Sequence, residues 1–221
     1  MTSPEAGRVA DAVLVVPVGA TEQHGPHLPL TTDTDIALAL ARRLAVRTRD
    51  VVIAPAVAYG SSGEHAAFPG TLSLGNAVTE RLLLELGRSA TLTWRRILLL
   101  SAHGGNSVPV RRAVAQLRAE GRDVRAWSPS WPGDAHAGHT ETSVMLHLDA
   151  GRVDLRSAAP GVLEPLASLI DALRSRGVHA VSTNGVLGDP TAADAGHGRR
   201  LLDAATEELV VLVDAWTQTA G

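Results

Sequence analysis

The chain contains no cysteine and no lysine. The first absence excludes a disulfide framework, a thiolate metal site, an iron–sulfur cluster and a thiol nucleophile. The second excludes Schiff-base chemistry and the lysine of a phosphate-binding loop; all 20 basic residues are arginine. Aromatic residues are only 3% of the chain, so the core has to be aliphatic. With 23 acidic residues the net charge is −3, which provides no basic field for nucleic acid. Long hydrophobic runs are also missing. The longest, such as Val13 to Val18 and Ile97 to Leu100, fall far short of the roughly 20 residues that span a bilayer. The polar stretch Met1 to Asp11 does not read as a secretory signal. The expectation is a cytoplasmic protein that binds neither nucleic acid nor membrane.

At roughly 150 residues per domain, 221 residues make one large domain or two small ones. No linker, repeat or low-complexity segment divides the chain, so a single domain over 1–221 is expected. Short aliphatic runs alternate with helical patterns. Val13 to Val16, Val51 to Ala54 and Ile97 to Leu100 read as buried strands, and Val124 to Trp127 as a weaker fourth. Helical spacing covers Ile36 to Val46, Val78 to Trp94, Val108 to Leu117, Leu163 to Leu173 and Leu201 to Trp216, with Gly121 a candidate C-terminal cap. Strands apolar on both faces and separated by helices predict an α/β fold, a three-layer α/β/α sandwich around a mostly parallel sheet.

Ligands of such sheets sit beyond the carboxyl ends of the strands. The loops that follow the four strands carry His24 and His27, then His65, then His103, then His136 and His139. Glu22 and His24 are two residues apart, so in extended chain they point the same way and can share a metal ion. Asp33 lies in Thr31-Thr32-Asp33-Thr34-Asp35, before a helix; it reads equally as a ligand, able to bridge two ions, and as an N-cap. His103 opens His103-Gly104-Gly105-Asn106 after a strand. With no lysine and no G-x-G-x-x-G, this reads as a ligand or catalytic histidine rather than a phosphate loop. Glu141 is a ligand candidate or a helix-start charge, and His136 or His139 could move protons near neutral pH. Trp131 reads as an apolar plate for a substrate ring or as rim packing. His147, His179 and His197 read as structural. No G-x-S-x-G elbow accompanies Ser61, Ser62 or Ser101.

The run Val18-Gly19-Ala20-Thr21-Glu22-Gln23-His24-Gly25-Pro26-His27-Leu28-Pro29-Leu30, with Thr32-Asp33 after it, resembles the first motif of the creatininase family of metal-dependent amidohydrolases. His103-Gly104-Gly105-Asn106 and His136-Ala137-Gly138-His139-Thr140-Glu141-Thr142-Ser143 resemble two further blocks in the same order. The resemblance implies an α/β/α sandwich and two divalent ions (zinc, iron or manganese) that activate a water. Glu22 would bind one ion and His24 the other; Asp33 would bridge them and His103 would complete the set. Creatininase has His-Tyr-Glu-Asn where this chain has two glycines, which implies that Glu141 supplies the remaining carboxylate and that creatinine is not the substrate. His136 would transfer the proton. Gly133 to Ser143, Gly185 to Thr191 and Tyr59 to His65 resemble the mycofactocin-system branch of the family. That implies a radical-modified precursor peptide as substrate, cut near its C-terminus, and a homo-oligomer. The competing expectations are an amidohydrolase for a small cyclic amide or formamide, and a non-catalytic ligand-binding domain.

Overall fold

The computed structural model describes residues 1–218. Four strands form one sheet: β1 (Val13–Val18), β2 (Val51–Ile53), β3 (Arg96–Ser101) and β4 (Asp123–Trp127). Their order is β2-β1-β3-β4 and every pairing is parallel, with Val13 opposite Val51 and Arg96, and Arg96 opposite Asp123. The helices are α1 (Ser3–Arg8), α2 (Thr32–Arg47), α3 (Gly75–Ala90), α4 (Ser107–Ala119), α5 (His139–Asp149), α6 (Leu166–Arg176) and α7 (Ala195–Gln218).

Alternation along the strands builds a core on each face. Val13, Val15, Leu98 and Leu100 point to one side, where α2, α5 and α7 bring Leu40, Leu44, Met145, Leu202 and Leu209. Leu14, Val16, Ile97 and Leu99 point to the other, where α3 and α4 supply Leu83, Ala113 and Leu117. Both β1 and β3 are buried at every position, as the continuous aliphatic runs require. The edge strand β4 is only partly covered, and Trp216 of α7 closes over its start, donating from Nε1 to Asp123 at 2.9 Å. No described helix is long and apolar enough to cross a membrane.

The predicted elements are present with shifted ends. The first long helix begins at Thr32, four residues ahead of its first apolar periodic residue, with Thr31 at the N-cap. Asp33 therefore stands inside the first turn rather than before the helix, where a carboxylate also meets the positive end of the helix dipole. Helix α4 does end ahead of Gly121, at φ +77°.

Candidate metal centre

The loops after β1, β2 and β3 are tied to each other by one buried side chain. Asn106 donates from Nδ2 to the Gly19 carbonyl (2.9 Å) and accepts the Ser61 amide at Oδ1 (2.9 Å). Residue 60 has to be glycine for this, because a Cβ there would collide with the Asn106 amide and the Gly19 carbonyl. The fourth loop docks through antiparallel bonding of His136 to Leu187. Ala137 next to it holds φ +51°, a left-handed conformation uncommon outside glycine, and its N–H donates to Glu141 Oε2 at 2.6 Å. Asp134 accepts the backbone amides of His139 and Thr140 and caps α5, which fixes Glu141 in the first turn.

These loops bring three carboxylates and four imidazoles together. Glu22 Oε2 lies 3.1 Å from His103 Nε2, and Glu22 Oε1 lies 3.3 Å from His65 Nε2 and 3.9 Å from His136 Nδ1. Asp33 faces both ways: Oδ1 is 3.5 Å from His24 Nε2 and Oδ2 is 3.4 Å from His103 Nδ1. Glu141 Oε2 is 3.9 Å from both His24 Nε2 and His136 Nδ1. Among the described residues, three groups have their ligand atoms close enough to share an ion: Glu22, Asp33 and His103; His24, His136 and Glu141; Glu22, His65 and His136.

Burial sets the charges. It pushes Glu22 up to about 8, against the pull of His103. It also raises Glu141. Burial opposes charge on His24 and His103 as well, but there the facing carboxylates prevail; Asp33 above all holds His24 at about 10. Asp33 is held below the usual carboxylate range, because His24 and His103 outweigh its burial. Burial, reinforced by neighbouring imidazoles, keeps His65 (about 3) and His136 neutral.

The residue types and their outer partners fit divalent metal ions. Both Glu22 oxygens, His24 Nε2 and Asp33 Oδ2 are buried without a hydrogen-bond partner among the described residues, an arrangement costly to keep unless a cation joins it. Three of the histidines are each held through one nitrogen by a backbone carbonyl: His24 Nδ1 by Glu22 (3.2 Å), His103 Nε2 by Ser61 (2.8 Å) and His136 Nε2 by Gln23 (2.9 Å). At His24 and His136 the other nitrogen faces the carboxylates, which is how proteins orient imidazoles at metal sites; His103 meets carboxylates on both sides, Glu22 at Nε2 and Asp33 at Nδ1.

All the predicted ligands, Glu22, His24, Asp33, His103 and Glu141, thus converge, and so does His136. His139 does not: its ring stacks on His197 (4.9 Å between centroids) and its Nε2 lies 3.1 Å from the Ala192 carbonyl. Trp131 is half-buried against the aliphatic core, its Nε1 shielded and without a partner among the described residues. Sequence reasoning assigned no role to His65, Gln23 or Glu64. A Cβ at Gly105 would strike His103 Nε2 and Glu64 Oε1, so the space a side chain would need at Gly105 is already taken. The clue was present in Glu64-His65, an acid and an imidazole in a strand-end loop.

The creatinine amidohydrolase (creatininase) family model matches residues 1–213. The chain belongs to the creatininase family. The mycofactocin precursor peptide peptidase of Mycolicibacterium smegmatis is 54% identical over 196 residues, covering 86% of this chain and 79% of the relative. Its counterpart in Mycobacterium tuberculosis H37Rv is 49% identical over 214 residues, covering 92% and 85%. Among solved structures, a creatininase described as its manganese form superimposes with TM-score 0.85 at 26% identity, covering 98% of this chain and 96% of that one. The parallel sheet with flanking helices is the creatininase fold, and the chain is a metal-dependent hydrolase.

Metal ions that bind only the folded chain stabilise it by about 2.7 kcal/mol at a hundredfold excess over Kd. Chelation should therefore lower the melting temperature of this 221-residue chain by about 5–10 °C, and added zinc or manganese should restore it. Scanning fluorimetry checks this; a chelator-insensitive transition in protein shown to be metal-loaded would refute it. Loading should also release protons at neutral pH, since Glu22 and His24 hold theirs there in the metal-free chain.

Proposed function

We propose that the site holds two divalent ions and hydrolyses an amide near the C-terminus of a modified precursor peptide, releasing a small heterocycle built from a terminal Val-Tyr pair in redox cofactor biosynthesis. The observation that carries the paired site is Asp33, whose two oxygens face different histidines on opposite sides. Glu22, Asp33 and His103 would hold one ion; His24, Glu141 and the shared Asp33 would hold the other. Zinc, iron and manganese all suit carboxylate and imidazole ligands. When bound, such ions polarise a carbonyl and lower the pKa of a water towards neutrality. The peptide substrate is supported by the relatives at 49% and 54% identity, both named for that precursor.

The chain's own residues divide the remaining work. Neutral His136 takes up a proton at Nδ1, the nitrogen that faces Glu22 and Glu141, and returns it to the leaving amine. Its Nε2 is held by the Gln23 carbonyl, so the ring cannot turn that nitrogen inward without losing a buried hydrogen bond. Trp131 offers an apolar face to a tyrosine-derived ring, and Trp131→Ala should raise KM for the modified peptide about tenfold, a loss of about 1.4 kcal/mol of binding. Unchanged steady-state kinetics would remove it from the site. A homo-oligomer is supported by α6, where no residue is buried although Leu166, Leu169, Ile170 and Leu173 recur at helical spacing. A single-chain mass in light scattering would remove that reading.

The deciding experiment is mass spectrometry of metal-loaded protein incubated with modified peptide, unmodified peptide and creatinine. Release of the heterocycle from the modified peptide alone is expected. No cleavage by protein that holds its metals would overturn the substrate and turn attention to small cyclic amides and formamides.

A further inference from the structure

Among the described residues, His65 is the one imidazole of the cluster that no backbone carbonyl holds. Its Nδ1 lies 2.8 Å from the side-chain nitrogen of Gln23. The direction of that bond follows from the rest of the Gln23 amide. Oε1 accepts the Gly25 N–H at 2.8 Å, and Nε2 donates to the Gly185 carbonyl at 3.1 Å. Flipping the amide would set an oxygen against a carbonyl and an NH2 against an N–H, so Nε2 is fixed as the nitrogen. Its second hydrogen has two imidazole nitrogens in reach, His65 Nδ1 and His136 Nε2 at 3.1 Å. The latter already donates its own proton to the Gln23 backbone carbonyl and offers no lone pair. The hydrogen therefore goes to His65, whose Nδ1 is an acceptor. A neutral imidazole with Nδ1 accepting carries its proton on Nε2. That nitrogen lies 3.3 Å from Glu22 Oε1.

The orientation is the reverse of His24 and His136. They turn an N–H outward to a backbone carbonyl and the second nitrogen towards the carboxylates, while His103 faces a carboxylate with each nitrogen. His65 turns its lone pair outward and its N–H inward. A nitrogen that bears a proton does not ligate a metal. So the Glu22, His65 and His136 triplet, close as its atoms are, is not a third metal position.

We infer that His65 is a positioning residue that presents an Nε2–H to the Glu22 carboxylate at Oε1, a close polar contact rather than a formed hydrogen bond, in a tautomer imposed by the Gln23 side-chain amide. Glu22 then has one oxygen steadied by His65 and the other, Oε2, turned to the His103 side, where Asp33 also converges. Gln23, between the two predicted ligands Glu22 and His24, serves the site through its amide without touching a metal. The inference rests on the metal-centre reading above, and the wild-type measurement separates the two: a wild-type chain that takes up no divalent ion defeats that reading, whereas the tautomer of His65 is measurable in metal-free protein.

The experiment combines long-range proton–nitrogen NMR of the metal-free wild type with metal titrations of wild type, His65→Ala and His65→Gln, using zinc alone as the probe. The expected NMR result is His65 neutral, with its proton on Nε2. The expected titration result is an unchanged number of ions at saturation in all three proteins, with affinity reduced roughly 10–100-fold in His65→Ala. His65→Gln, whose amide N–H can reach Glu22, should recover most of that loss. A proton found on Nδ1 of His65 overturns the inference, as does loss of one ion per chain at saturating zinc in both variants, which would make His65 a ligand. Zinc affinity unchanged in His65→Ala overturns it as well. Should His65→Ala fail to fold, the tautomer and His65→Gln still decide.

Discussion

Asp33→Ala is expected to empty the whole centre rather than half of it. Asp33 is the residue whose two oxygens reach both histidine sides, and it is almost fully buried at the start of α2. Without it, each ion of the proposed pair loses a negative ligand, and His24 and His103 lose the carboxylate that holds them in place. Elemental analysis should show both ions lost together. Turnover should fall by roughly 10³-fold or more, because Lewis-acid stabilisation worth several kcal/mol goes with the ions and each 1.36 kcal/mol is tenfold in rate. Asp33→Asn, nearly isosteric, separates the loss of charge from the loss of packing. A variant that retains full metal content and activity would sink the bridging role. One that retains a single ion would show that Asp33 serves one position alone.

His136→Ala should give the opposite pattern: metals kept, turnover lost. Its Nδ1 is 3.9 Å from both Glu22 Oε1 and Glu141 Oε2, beside the predicted ligands, and burial keeps the ring neutral. Removal of a positioned acid–base group costs about 10²–10⁴-fold in rate. The substitution also strands the Gln23 carbonyl, which His136 Nε2 satisfies at 2.9 Å, and an unsatisfied buried acceptor costs about 1–3 kcal/mol. Folding therefore has to be checked by circular dichroism before the rates are compared. If the ions leave with the side chain, His136 is a ligand and the proton passes elsewhere; if turnover is normal, it has no part in the reaction.

The two histidines of the fourth loop show how far local pattern reaches. His136 and His139 are three residues apart in one motif, and spacing alone leaves either free to serve. Only His136 enters the cluster, because its backbone bonds to Leu187, 51 positions away, and its ring to the Gln23 carbonyl, 113 positions away. His139 is drawn to the opposite side by Ala192 and His197. His65 is the same lesson in reverse. Its local sequence, Glu64-His65 in a strand-end loop, hints at a site but not at a task, and the Gln23 amide supplies one from 42 positions away.

What the sequence determined by itself is the parallel sheet, the helices that cover both faces and the five ligand candidates. Strands buried on both faces must be aliphatic throughout, and β1 and β3 are buried at every position. A carboxylate and an imidazole two residues apart at a strand end have few other uses, so Glu22 and His24 stood out locally. What only the tertiary structure decided is the choice among neighbours and the direction of each proton. Those depend on hydrogen bonds between loops that the sheet brings together: Asn106 to Gly19 and Ser61, His103 to Ser61, Gln23 to His65 and Gly185. Such bonds join residues far apart in the chain, where no periodicity or spacing rule reaches, and their geometry exists only once both cores have packed.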